Sequence, residues 1–410
     1  MKRLWRSPTL RSAGVYGAAG AGFAGANLIL ARVLPQAEYA VLTLVVALVN
    51  VGFAMAPLGV DGIVNRRHLE AGPRLLRKVL VATTLTAVTF TSIGVAFYDV
   101  SPPLAAMVFV SVLTGGAVVV AAAQFQAEQR FGLSLAFIQS TNVVLLLAAL
   151  VTVMTGVREA WLALLISTIG WVVAAIWGWS LLFQERHAKP HRSVDFPITE
   201  SLSYAGVQAT GLILIQLERL IVPHFLPLHD LATFGVLAAI AGSLFRVLQM
   251  GVGYSLVPRL RAAGSIPERR RLVAHESRMV AGIVLVGSAG IALLTPLVER
   301  WFLQGKYHLA ASLVLATVVS GVIKIINAFT KSAASALATP RELGMVNLLG
   351  WVSLAIGIAA GMVGARWGLA GVIYGVALGW AIRAATAFYI AARHLRLSEP
   401  EPVGQPATAP

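Results

Sequence analysis

Arg246, Lys324 and Arg383 each lie about 14–16 residues into a long apolar stretch of the chain. At about 1.5 Å of rise per helical residue they share one depth, roughly 21–24 Å from the end where those stretches begin. A charge at such a depth in a bilayer is costly, faces protein or water, and marks a functional site by default. Three at one level make a cationic chamber. Its chemistry is capture of an anion such as a phosphate or pyrophosphate, which arginine grips bidentately. Around Lys324 the residues Ser320, Lys324, Asn327 and Lys331 recur at i, i+4, i+7 and i+11, one face of a helix, so Asn327 joins the set. Arg383 shares its face with Trp380 and Thr386, and Arg246 with Ser243 and Met250. The competing reading is snorkelling of long basic side chains to the headgroups. It is favoured for Lys331, whereas the common depth favours the chamber for the other three.

Two acidic residues fall inside apolar stretches of interest. Glu218-Arg219 sits toward the far end of its stretch, with Gln216 one turn below Arg219. Adjacent positions point about 100° apart on a helix. Arg219 either lines an outer vestibule or locks two helices through an ion pair. Asp61 either carries a coupling proton or Na⁺, or pairs with a neighbouring base or caps a helix end. Gly251-Val252-Gly253 lacks the βαβ context of a nucleotide fingerprint. No Walker A sequence is present, the eight histidines have no metal spacing, and no Ser/His/Asp arrangement is set for hydrolysis. No catalytic residue, metal site or cofactor is expected.

These residues must be positioned by membrane-spanning helices. The 410-residue chain is 58% hydrophobic and 12% charged, with a mean hydropathy of +0.80. Soluble domains carry about twice that share of charge. Apolar runs of about 20 residues recur from end to end, continuous rather than alternating, which predicts an all-α polytopic protein and excludes a β-barrel. Twelve spans are predicted, at about 13–34, 40–64, 76–97, 104–126, 133–155, 160–183, 201–225, 232–255, 278–298, 308–330, 343–364 and 368–392. Segment 1–12 reads as a basic tail with no cleavable signal peptide, 184–200 (QERHAKPHRSVDFPITE) as a linker between two six-helix bundles at 13–183 and 201–393, and 394–410 as a disordered tail. About 22 Lys/Arg fall on one side of this topology and five (Arg32, Arg158, Arg300, Lys306, Arg366) on the other, which predicts cytoplasmic termini. The net charge of +15 is thus a topology signal rather than a nucleic-acid footprint. The loop 258–275, with Arg269-Arg270-Arg271, reads as a solvated basic segment that attracts anionic lipid. Absence of cysteine excludes disulfides and thiolate metal sites. Gly371, Gly375 and Gly379 make a small-residue face for close helix packing.

A weak internal repeat is visible. Leu34-Pro35 precedes Ala40-Val41-Leu42, and Leu226-Pro227 precedes Gly235-Val236-Leu237. Each is a hairpin on the outer side between the first two spans of its half, so the repeats are parallel. At the depth of the three cations the even spans of the first half, around Met55, Val119 and Ala175, are apolar. The first half is therefore expected to act mainly as a moving wall.

The segment LARVLPQAEYAVLTL (30–44), followed by PLGVDGIVNRR (57–67), resembles the opening of the polysaccharide transporter family. These are Wzx-type oligosaccharide flippases of the multidrug/oligosaccharidyl-lipid/polysaccharide exporter superfamily. Ala31-Arg32 and Leu34-Pro35 match that family's Ala-Arg-x-Leu-Gly-Pro without its glycine, Tyr39-Ala40 replaces its aromatic-Gly pair, and Leu58-Gly59 matches its Leu-Gly. Glu218-Arg219-Leu220 with Phe234-Gly235 resembles the second-half version, and WGLAGVIYGVALGW (367–380) the last span. The resemblance implies a MATE/MOP-like V of two bundles around a central cavity. It also implies export of a polyprenyl-pyrophosphate-linked oligosaccharide across the bacterial plasma (inner) membrane. Arg246, Lys324 and Arg383 would then neutralise the pyrophosphate, and Arg219 and Arg32 would receive it on the outer side. Membrane lipids, a polysaccharide polymerase and glycosyltransferases are the partners expected, and no nucleic acid. The nearest alternative, a cation-coupled drug antiporter, wants cavity acids, for which Asp61 and Glu218 are the candidates. A membrane-embedded polymerase or glycosyltransferase wants a sizeable extramembrane loop, and the outer loops here are about 4–10 residues.

Overall fold

The computed structural model describes residues 8–67, 69, 71–186, 197–242, 245, 256–257 and 259–396. They form helices and turns, with no strand among them. In a bilayer every backbone N–H and C=O must be satisfied internally, and a helix does this along its own length. Eight stretches are long and apolar enough to cross a membrane among the described residues, and the last, Gly344–Arg396, holds two helices. The chain is a multi-pass membrane protein.

The first half comprises α1 (Pro8–Val33), α2 (Gln36–Met55), α3 (Val60–Arg67), α4 (Pro73–Tyr98), α5 (Pro102–Ala127), α6 (Phe131–Thr155) and α7 (Ala160–Arg186). The second comprises α8 (Ile198–Phe225), α9 (Leu228–Leu237) with a π-helical turn at Ala238–Gly242, and α10 (Ile266–Leu297) with another at Val298–Phe302. It continues with α11 (Ala311–Leu337), α12 (Pro340–Gly364) and α13 (Gly368–Arg396). Within the first half α5 packs on α4, α6, α7 and α2, and within the second α13 packs on α11, α12 and α8. On the predicted small-residue face, a Cβ at Gly375 would lie 2.3 Å from the Ala360 carbonyl oxygen, so α12 and α13 touch backbone to backbone.

The predicted hairpin repeat is present as geometry. Pro35 caps α2 with φ −52°, ψ 152°, and Pro227 caps α9 with φ −59°, ψ 151°. Four predicted segments differ. The second span is broken, because Pro57 follows α2 and Leu58 and Gly59 take φ of 47° and 82° before α3 resumes. Ser201 of α8 donates its hydroxyl to the Leu58 carbonyl freed by that break, at 2.8 Å. The basic loop is partly helical, since α10 begins at Ile266 and includes Arg269, Arg270 and Arg271. Arg270 is held there by donating to the Leu395 carbonyl at 2.6 Å. Helix α1 begins at Pro8, and α7 and α8 run into the segment read as linker. The tail 397–410, the linker core 187–196 and the segment containing Arg246 lie outside the described residues.

Burial shows how the halves join. One apolar core runs through both at the end carrying the hairpins, from Leu30, Tyr39 and Leu42 to Leu231, Val236, Tyr307 and Val372. At the other end the cores separate, one around Ile63, Val79 and Phe125 and one around Leu260, Ala333 and Ile390. There α3 and α8 bridge the halves, with Arg67 on Glu200 at 2.5 Å.

Helix α12 starts on a capping box in which Thr339 and Glu342 each hydrogen-bond the other's backbone N–H, and His394 of α13 meets Glu342 at 2.7 Å. The Thr339 backbone N–H first, and then His394, lower the Glu342 carboxyl from 4.5 to about 2. A depressed carboxyl contributes stability above its unfolded pKa and loses it as pH falls. The α12–α13 junction is therefore expected to loosen between about pH 4.5 and 2. Faster amide exchange at 339–343 across that window, abolished in Glu342→Gln, checks it.

Candidate functional site

Two of the predicted cations meet at one aromatic ring. Lys324 of α11 and Arg383 of α13 lie 5.9 and 6.0 Å from the Trp380 indole centroid. The Lys324 ammonium also meets the Glu218 carboxylate at 2.7 Å, with Glu218 only 1% exposed. Next to it Arg219 donates to Gln216 Oε1 at 2.6 Å. Sequence reasoning left Glu218 as an acid for ion coupling, whereas the fold sets it as the counter-charge of Lys324.

Arg383 is 6% exposed and sits where two glycines make room. A Cβ at Gly211 of α8 would lie 3.4 Å from Nη1, and one at Gly350 of α12 3.9 Å from Cζ. Neither glycine was singled out from sequence, although both lie mid-helix, where glycine costs about 1 kcal/mol relative to alanine and asks for a packing reason. Among the described residues Arg383 Nε and Nη1, Trp380 Nε1, Ser320 Oγ and the predicted Asn327 Oδ1 are buried without a hydrogen-bond partner. Native interiors satisfy nearly all such groups. The guanidinium, indole and hydroxyl of this set are desolvated donors suited to an oxyanion, whereas Asn327 Oδ1 is an acceptor that an anion does not satisfy.

Two cavities adjoin this region. The smaller, about 100 Å³, is lined by Glu218, Arg219, Ser320 and Lys324 and closed by Phe234 and Phe245. The larger, about 430 Å³, lies in the first half between α1, α2, α5, α6, α7 and the middle of α8. Phe23, Ile215 and Gln216 line both. The first half holds the larger chamber, and Met55, Val119 and Ala175, which mark the apolar level of its even spans, do not line it.

No family model matches the sequence, and no curated protein does. Solved structures do. An inward-facing multidrug resistance MATE family transporter of the MOP superfamily gives a TM-score of 0.64 at 12% identity, over 93% of this chain and 94% of that one. Lipid II flippase MurJ, inward closed, gives 0.64 at 9% identity, over 93% and 86%. An outward-facing MATE family transporter gives 0.53 at 14% identity, over 96% and 97%. The fold is that of the MATE/MOP transporters.

Within this MATE/MOP fold the remaining predicted residues disperse. Asp61 lies in the first turn of α3, where a carboxylate complements the helix dipole, and its hydrogen-bond partners include Gln208. It lines neither cavity. Arg32 is exposed at the end of α1, 5.4 Å from the Phe302 ring, and is likewise remote from both. Arg219 does not disperse: it is buried and lines the smaller cavity beside Glu218. Lys331 is exposed.

A feature the sequence did not announce closes the hairpin end of the MATE/MOP fold. Lys306, from the turn before α11, donates to the Ala31 carbonyl at 2.8 Å, to that of Arg32 at 3.3 Å, and to that of Leu34. These are orphan carbonyls at the C-terminus of α1, where the helix dipole also favours a cation. Gln36 Nε2 returns a bond to the Lys306 carbonyl at 2.5 Å, and the Tyr307 hydroxyl donates to Ala31 at 3.1 Å. The clasp joins the two halves where their common core lies.

Proposed function

We propose that this chain is a flippase that carries a lipid-linked oligosaccharide, a polyprenyl-pyrophosphate sugar, from the inner to the outer leaflet of the bacterial plasma membrane for surface polysaccharide synthesis. The observation that carries the reading is the pair Lys324 and Arg383 on Trp380, with buried donors left over for an oxyanion. A pyrophosphate entering there exchanges its water for fixed positive charge in a low-dielectric site. The resemblance of 30–44 and 57–67 to Wzx-type flippases supports the same substrate class.

The joined and separated cores support alternating access. The clasped hairpin end is the outer face and the split end faces the cytoplasm, in agreement with the Lys/Arg asymmetry. The higher TM-score against the inward-facing than the outward-facing MATE structure supports this state. The polyprenyl tail stays in lipid while the halves rock about the headgroup. A polymerase and glycosyltransferases act on the product and precursor. A drug/cation antiporter is disfavoured, because Glu218 is tied to Lys324, Asp61 lines neither cavity, and no acid among the described residues lines the larger chamber.

The test replaces Arg246, Lys324 and Arg383 singly by alanine and by the other basic residue in cells that make the polysaccharide. With insertion confirmed, outer-leaflet appearance of lipid-linked sugar is measured. The alanine variants are expected to lose about 100-fold or more in flux, the scale of losing a charge-assisted contact of up to about 3 kcal/mol. Full export by all three would end the proposal.

A further inference from the structure

We infer that the first-half chamber is the glycan subsite of this flippase, and that it takes an uncharged, hydroxyl-rich saccharide. The inference rests on the flippase reading and adds where the sugar goes and what kind it is. At about 430 Å³ the chamber is in the size range of small-molecule sites, about 300–1,000 Å³. Its polar lining consists of amides and hydroxyls, including Asn50, Gln139, Asn142, Ser111 and Ser167, and among the described residues no Asp, Glu, Lys, Arg or His lines it.

That composition selects by exclusion. A cation finds no carboxylate there, and an anion finds no base. A purely apolar occupant such as a lipid tail would leave the amides without partners, at about 1–3 kcal/mol for each buried group. Amides and hydroxyls each donate and accept, as sugar hydroxyls do. The groups are partly ordered in advance. Asn142 Nδ2 donates to Gln139 Oε1 at 2.6 Å, which leaves the Gln139 amino group and the Asn142 oxygen for a ligand. The Ser111 and Thr168 hydroxyls, also on the lining, pair at 2.9 Å. Trp171, packed on Phe53 with ring centroids 4.8 Å apart, closes the floor with an apolar surface of the kind sugar C–H faces cover.

Connectivity completes the argument. Gln216 lines this chamber and the charged cavity, and its oxygen holds Arg219. A headgroup with a phosphate at Lys324, which lines the charged cavity, reaches the first-half chamber past this shared wall. One molecule thus meets positive charge in one half and neutral hydrogen bonding in the other. A uronic or other acidic sugar would enter a chamber with no base to pair it.

The test measures binding to the purified full chain in lipid nanodiscs with three probes. They are undecaprenyl pyrophosphate, the same carrier bearing a neutral disaccharide, and the same carrier bearing a disaccharide that contains a uronic acid. The neutral glycan is expected to tighten binding about tenfold over the bare carrier, the yield of one or two net hydrogen bonds. The acidic glycan should add nothing. Asn50→Leu and Gln139→Leu should each abolish the neutral gain and leave bare-carrier affinity unchanged. Should either fail to fold, Ser167→Ala, a smaller change on the same wall, is expected to reduce the gain. A neutral gain that survives in every variant, that never arises, or that the acidic glycan matches overturns the subsite. Failure of wild type to bind the bare carrier overturns the flippase reading itself, a result that no chamber variant could produce.

Discussion

Lys324→Met is expected to destabilise the protein by about 3–5 kcal/mol, the usual cost of breaking a buried ion pair from one side. Its partner explains the size. Glu218 is 1% exposed, and with the ammonium removed its carboxylate loses the 2.7 Å contact that compensates its burial. Pairing the change with Glu218→Gln removes the stranded charge, and most of the stability should return. Melting of the purified protein in detergent measures both. Strong non-additivity is the signature of a direct pair, and losses that merely add would contradict the assignment. The double variant also separates fold from function: it should be folded and still deficient in capturing the anion, since Arg383 alone then remains at Trp380 among the described cations.

Lys306→Ala should open the hairpin end. The ammonium is shared among three carbonyls at the end of α1, and charged hydrogen bonds contribute roughly 1.5–3 kcal/mol each, less when one donor group is divided. Loss of about that amount shifts the closed-to-open ratio roughly ten- to hundredfold. The chain has no cysteine, so Ala37→Cys and Gln304→Cys introduce spin labels at exposed positions on either side of the clasp with no background. Distances between them should lengthen in the Lys306→Ala protein. An unchanged distribution would mean that the core of Tyr39, Leu231 and Tyr307 holds the closure without the lysine.

Helix identity, the paired proline caps and the shared level of Lys324 and Arg383 were legible because each depends on local pattern. Apolar runs of spanning length can form little but helices in a bilayer, and the two prolines impose the same cap twice. What escaped was relational. Glu218 and Lys324 are 106 positions apart, and nothing in either neighbourhood marks the pair. The break at Pro57 was visible as a bend, but its capture by Ser201 depends on where α8 docks. The first-half chamber was missed for a different reason. Its polar groups are isolated amides and hydroxyls on five helices, too sparse for any window to register, and they converge only when α5, α6 and α7 pack. Arg32 and Asp61 were singled out for charge, which for both is a matter of helix ends.

The central claim is movement of a pyrophosphate-linked sugar through a cationic site in the second half. Its most direct measurement uses purified protein in vesicles loaded with an undecaprenyl-pyrophosphate-linked oligosaccharide. The fraction of lipid reached by a sugar-reactive reagent that does not cross the membrane is followed in time. Wild type should raise that rate well above protein-free vesicles, and Arg383→Ala, folded by its melting curve, should return it to the protein-free level. A wild-type rate equal to that of empty vesicles, together with uptake of an organic cation driven by a proton or Na⁺ gradient, would contradict the account.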